Sequence, residues 1–209
     1  MLSLSLFAVV CTALLVVSGC ATSSSQTRGD RAQTDSVKAP AWSAGPVSGW
    51  LAWRGPGQDG VSGETGLPDV LSVEGAPLVW RYPLQGRGTP VIAGETVYSM
   101  GWRGEGPELQ EVIVALDATS GRELWQRGFP DFLSDIIYER YSIGAPVVDA
   151  SSGHIYLQTS AGVLVALDGA GEVLWEVSMM EAFGRLTFPN GRTWSPVLEG
   201  DLVIVHGIT

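Results

Sequence analysis

Ala115-Leu116-Asp117-Ala118-Thr119-Ser120-Gly121-Arg122-Glu123-Leu124-Trp125 returns, one residue shorter, as Ala166-Leu167-Asp168-Gly169-Ala170-Gly171-Glu172-Val173-Leu174-Trp175. A second motif precedes each copy and also follows the last: Thr89-Pro90-Val91, Ala145-Pro146-Val147 and Ser195-Pro196-Val197. Trp80, Trp125 and Trp175 are spaced by about 45–50 residues. A period in that range, carried by short alternating segments, points to propeller blades of four antiparallel strands.

One repeat can be read strand by strand. Ala145-Pro146-Val147-Val148 starts the strand nearest the axis, where a proline marks a strand beginning. Ser151-Ser152-Gly153 turns the chain into His154 to Thr159, whose Ile155 and Leu157 alternate with Tyr156 and Gln158. Ala161-Gly162 turns it again into Val163 to Leu167, and Asp168 to Gly171 leads to the outer strand Glu172 to Val177. No helical period is evident outside the N-terminal apolar run.

The pattern Ala-x-Asp-x-x-(Ser/Thr)-Gly-x-x-x-Trp resembles the tryptophan-docking motif of PQQ-like β-propeller repeats, which are shared by quinoprotein dehydrogenases and a non-catalytic lipoprotein family. The resemblance covers about Trp50 to Thr209 and implies an all-β fold. It also implies structural roles for the motif. Asp117 and Asp168 are expected to accept hydrogen bonds from N–H groups of their own turns. Gly121 and Gly171 are expected at positive φ. Trp125 and Trp175 should lie flat between blades, each burying roughly 150–250 Å².

Trp50-Leu51-Ala52-Trp53-Arg54-Gly55-Pro56 through Gly66-Leu67-Pro68 resembles a leader that precedes the first blade in secreted members of the family. Trp80 stands where the outer-strand tryptophan of a blade belongs, and Leu78 to Leu84 reads as a closing strand. Residues 86–209 amount to about two and a half to three blades. Closed propellers use about four to eight, and this family usually seven or eight, so a partial propeller is expected.

The N-terminus has its own signature. Val17-Ser18-Gly19-Cys20 ends an apolar run that begins near Leu4, and it resembles the lipobox of bacterial lipoproteins. The run suits a signal-peptide core and is short for a membrane span of about 20 residues. Met1 to Leu6 carries no Lys or Arg, a departure from the usual basic start. The reading is a signal peptide over 1–19, lipidation at Cys20, a disordered tether over 20–49 and a propeller over 50–209. As a flexible coil the tether would span on the order of 30 Å.

Composition narrows the function. The chain has 22 acidic and 12 basic residues and a net charge of −10, and no basic cluster exceeds a pair, which argues against nucleic acid as a partner. With Cys11 in the signal peptide and Cys20 lipidated, no thiol is left for a disulfide, a metal or nucleophilic catalysis. Gly55-Pro56-Gly57-Gln58-Asp59-Gly60 satisfies G-x-G-x-x-G, but follows no strand and contains a proline, so it reads as a surface turn. His154 and His206 occupy matching strand positions without a Cys or carboxylate partner, which is a poor metal site.

The catalytic members of the family hold PQQ and calcium through Glu, Asn and Asp side chains, often beside a disulfide between adjacent cysteines. Here the only asparagine is Asn190 in a turn-like Pro189-Asn190-Gly191. No catalytic, cofactor or metal residue is therefore expected in this stretch. The resemblance implies a non-enzymatic scaffold for protein partners, anchored by lipid to the periplasmic face of the outer membrane. The alternatives are a PQQ- and calcium-dependent dehydrogenase with its site in further blades, and a carbohydrate-binding propeller suggested by the aromatics.

Overall fold

The computed structural model describes residues 44–70, 72, 74, 78–130, 142–184 and 194–207. The expected signal peptide, Cys20, most of the expected tether and Asn190 lie outside these residues.

Two four-stranded antiparallel sheets and one two-stranded sheet make up the regular structure, an all-β partial propeller. Blade 1 is β1 (Val91–Ala93), β2 (Thr96–Arg103), β3 (Gln110–Asp117) and β4 (Glu123–Pro130), in spatial order β1-β2-β3-β4. Blade 2 is β5 (Val147–Val148), β6 (Ile155–Gln158), β7 (Val163–Leu167) and β8 (Val173–Ser178), in the same meander order. A hairpin of β9 (Val197–Glu199) and β10 (Leu202–Ile204) begins the next repeat.

The repeat extends to the register. In blade 1 a row of cross-strand partners runs Val91–Tyr98–Ala115–Trp125, and in blade 2 the equivalent row is Val147–Tyr156–Ala166–Trp175. The small alanine in each row leaves room for its flanking rings. Tyr98 and Trp125 have centroids 5.8 Å apart, and Tyr156 and Trp175 5.9 Å. Each row is followed by a register shift, after Ala115 in one blade and after Ala166 in the other. The bulge re-aims the outer strand and increases its twist. Thus the alanine of the motif is a packing requirement, and its tryptophan is held in one orientation.

Blade 1 is buried on both faces, so β3 reads as an almost continuous apolar run. Val112, Val114 and Leu116, with Val97 of β2, pack beneath Trp80, Tyr82 and Leu84. On the other face Met100, Ile113 and Ala115 meet Val148, Ile155, Leu157, Val165 and Leu167 of blade 2. Burial of this kind is worth about 25 cal/mol per Å² of apolar area and supplies the main attraction between blades.

Three features differ from the sequence expectation. Leu78 to Leu84 is not a strand: in the 78–85 segment only Gln85 forms a bridge, to Trp102. Second, a short helix α1 (Met179–Phe183) follows β8. It begins at Ser178, whose hydroxyl accepts from Glu181 N–H at 3.2 Å, and it buries Met179. Ser178-x-x-Glu181 is the sequence pattern of a capping box, but five residues are too few to show a period. Third, hydrogen bonding to the blades starts at Gly45, ahead of the expected boundary at residue 50.

That leader is wedged between the inner strands of the two blades. Ile92 N–H donates to Trp50 O at 2.9 Å and Gly94 N–H to Ser48 O at 2.8 Å. On its other side Val47 N–H donates to Ala150 O at 2.8 Å, and Val148 N–H to Leu51 O at 2.9 Å. Inner strands of a blade have one unpaired edge, and here the leader satisfies both. Gly49, at φ +143, lets the chain pass: a Cβ there would stand 2.3 Å from Ile92 O.

Candidate functional site

The chemistry-bearing side chains gather along the seams between repeats. Trp80 and Trp125 each reach forward onto the turn of the blade that follows. Trp80 Nε1–H donates to Ala118 O at 2.9 Å, and its ring lies where a Cβ on Gly121 would be, 2.5 Å from Cδ2. Trp125 repeats the contact on blade 2, with Nε1–H donating to Gly169 O at 2.9 Å and its ring 2.8 Å from a Cβ on Gly171. Gly121 (φ 69) and Gly171 (φ 84) therefore serve twice, by adopting a left-handed conformation and by exposing bare backbone to an indole. Trp175 packs on Tyr156 and stays 38% exposed.

The two aspartates shape these turns. Asp117 Oδ1 accepts from the N–H groups of Thr119 and Ser120 and from the Ser120 hydroxyl at 2.7 Å. These bonds, the Ser120 hydroxyl foremost, hold its carboxyl below the usual aspartate range. Asp168 Oδ1 accepts from Ala170 and Glu172 N–H, both at 2.9 Å. Asp149 does the same in the turn between β5 and β6, accepting from both serines of Ser151-Ser152. Burial pushes its carboxyl up, but the Ser152 and Ser151 bonds outweigh that and leave it low.

Charged groups brace the same seams. Arg127 donates through Nε to Gly171 O and pairs with Glu172 at 3.1 Å. One blade earlier, Tyr82 takes the equivalent place, its hydroxyl donating to Glu123 and accepting from Arg103. Burial, with the neighbouring Glu123 carboxylate, pushes the Tyr82 phenol up to about 12. Trp80, Tyr82, Leu84, Pro90, Val97 and Leu116 line a largely apolar groove of about 260 Å³ along this seam.

Among the described residues, one buried carboxylate has no cation beside it. Glu111, at the start of β3, points into the blade 1–blade 2 interface and is 1% exposed. Its Oε1 accepts from Ser142 N–H at 2.9 Å and from the Ser160 hydroxyl at 2.8 Å, and its Oε2 from Ser160 N–H. Ser142 itself sits at φ 51, a strained setting for a residue with a side chain. Sequence reasoning missed this cluster because its members are 31 and 49 residues apart. The one signal was a charged residue at the head of the apolar run Val112 to Leu116.

The other residues singled out from sequence have contacts of their own. His154 lies at the turn into β6, its N–H near the Ser152 hydroxyl, whereas the His206 ring packs edge-on to Trp194 at 4.4 Å. Among the described residues no group of three or more His, Cys, Asp or Glu could hold a metal ion. Gly55 to Gly60 forms a tight turn against the Trp50 ring, with Arg54 donating to Asp59 O at 3.1 Å. The described residues do not fit a quinone–calcium site: Asp117, Asp149 and Asp168 are committed to their own turns, and Glu111 is enclosed by N–H and O–H groups.

A family model described as outer membrane protein assembly factor BamB, of the PQQ_2 repeat type, matches residues 42–207. The chain belongs to that family. Its match begins before Gly45, in keeping with a leader that is part of the propeller. No curated protein matches the chain. Among the solved structures that resemble it are two of low identity. Quinohemoprotein alcohol dehydrogenase from Comamonas testosteroni is 21% identical, with a TM-score of 0.41 over 59% of this chain and 17% of its own. A europium-containing methanol dehydrogenase is 20% identical, with a TM-score of 0.41 over 60% of this chain and 21% of its own. The chain thus spans about a fifth of the length of these structures. Among the described residues no helix is long and apolar enough to cross a membrane.

Proposed function

We propose that this protein is a lipid-anchored propeller of the bacterial envelope that acts by binding other proteins at the outer membrane. The observation that carries the reading is the family match over residues 42–207, whose description is an outer-membrane assembly factor. The arrangement of the carboxylates supports it, because those of the repeat motif are consumed in holding turns and seams. Cys20, preceded by Val17-Ser18-Gly19, is the attachment point in this reading. Ala21 in place of aspartate after the cysteine favours the outer membrane.

Two measurements test it. Mass spectrometry of the membrane-extracted protein is expected to find a diacylglyceryl-modified N-terminal Cys20, and an N-terminus retaining Met1 would refute the anchor. Crosslinking in intact cells, followed by identification of the adducts, is expected to return envelope proteins. Robust dye reduction with an alcohol or sugar on adding PQQ and calcium would instead identify a dehydrogenase.

A further inference from the structure

The Glu111 cluster contains one hydrogen too few for a carboxylate. Ser142 Oγ stands 2.7 Å from Glu111 Oε1 and 2.7 Å from the Gly101 carbonyl oxygen. Both are hydrogen-bond distances, yet a serine hydroxyl has one hydrogen to give. The Gly101 carbonyl brings none. Were Glu111 ionised, one of the two contacts would set lone pairs against lone pairs at 2.7 Å. A proton on Oε1 removes the conflict, since Glu111 can then donate to Ser142 Oγ and Ser142 to Gly101.

We propose that Glu111 is carried as the neutral acid in the folded protein, forming a relay from Oε1–H through Ser142 Oγ to Gly101 O, and that loss of this proton loosens blade 1 from blade 2. The cluster is placed to have that effect. Glu111 and Gly101 belong to blade 1, Ser142 to the run leading into β5, and Ser160 to the turn between β6 and β7. One side chain therefore ties both blades and the chain between them.

No described charge compensates an ionised Glu111. Across the sheet it faces Trp102 and Phe129. Arg103 of β2 is turned toward Tyr82 and Glu123, and Arg127 of β4 toward Gly171 and Glu172. Glu105 and Glu108, in the loop between β2 and β3, are exposed. The turn Thr159 to Gly162 carries no charge. Burial is the dominant influence on Glu111 and raises its carboxyl above the usual glutamate range, with the serine hydrogen bonds opposing.

A group whose folded pKa lies above its unfolded one holds its proton more tightly when folded. Its contribution is full below the ordinary glutamate value and is lost as pH rises through the folded value. Within that window the folding equilibrium constant falls by up to about tenfold per pH unit.

The test uses the full protein with ¹³C-labelled glutamate carboxyl groups, compared with Glu111→Gln, whose amide can donate to Ser142 Oγ as the acid does. Infrared spectra at neutral pH are expected to show a protonated-carboxyl C=O stretch that shifts with the label and is missing from E111Q. The folding equilibrium of the wild type relative to E111Q is expected to weaken with rising pH over the same range that removes the band. Absence of the band, or a wild type that gains on E111Q as pH rises, would overturn the proposal. Should E111Q fail to fold, the titration of the labelled wild type decides by itself: every glutamate ionised at neutral pH refutes it.

Discussion

Blades 1 and 2 carry the same motif and the same cross-strand row, yet their outer strands have different fates. β4 alternates between exposed and half-buried positions, whereas β8 is exposed along nearly its whole length. Trp125 lies on the Gly169–Gly171 turn of blade 2, while Trp175 rests on Tyr156 and remains 38% exposed. The strands are made alike; among the described residues a neighbouring turn lies against Trp125, and Trp175 is described against its own sheet. A docking tryptophan has two halves to its site, one in its own sheet and one in the next repeat. Sequence repetition specifies the first half and only stacking supplies the second.

The largest break of this comparison is expected from Trp125→Ala, which removes both halves and leaves Gly169 O without its indole donor. A loss of about 3 kcal/mol is expected by chemical denaturation, at the low end for truncating a large aromatic because Trp125 is half-buried. Trp175→Ala, which removes the described contact with Tyr156, should cost about 1–2 kcal/mol in the 209-residue chain. Equal losses would show that the turn contributes nothing to the dock.

Gly171→Ala tests the turn from the other side. It places a side chain at φ 84 and sets a Cβ 2.8 Å from the Trp125 ring. The backbone term alone is about 1–3 kcal/mol, and displacement of Trp125 should appear as a change in tryptophan fluorescence. Gly200→Ala makes a useful control, because that residue has a similar φ of 54 but open space around it. It should show the backbone cost without the fluorescence change.

The smallest effect is expected at the charged brace. Glu172→Gln abolishes the pair with Arg127 but leaves the Arg127 Nε bond to Gly171 O in place. Because Glu172 is largely exposed, the loss should be about 0.2–1 kcal/mol and shrink with added salt. A loss above that of Gly171→Ala would make the seam electrostatic rather than aromatic.

Apart from Leu78 to Leu84, which forms no strand, strand identities were legible in the sequence because they rest on local features. Alternation in Ile155 to Gln158 and the Pro before Val147 and Val197 act within a few residues. Likewise the turn chemistry of Asp117 to Gly121 and of Asp168 to Gly171 is self-contained, each carboxylate bonding within four residues of itself. The helix at Met179–Phe183 escaped because its capping signal is local but its length yields no period.

What only the tertiary structure decided are the contacts that join separate repeats. Composition gives the leader the look of a tether, since Gly45, Pro46 and Ser48 carry no pattern. Its backbone is ordered by the open edges of β1 and β5, which come together only when the blades stack. The identity of the tryptophan's acceptor follows the same logic: it is a main-chain carbonyl, invisible in a list of side chains. Glu111 is the clearest case. Its charge state depends on Ser142, Ser160 and Gly101 closing around it, and a sequence specifies the carboxyl but not the solvent it loses. Local pattern sets which face of each strand is apolar, and burial between repeats then sets which polar groups must find partners there.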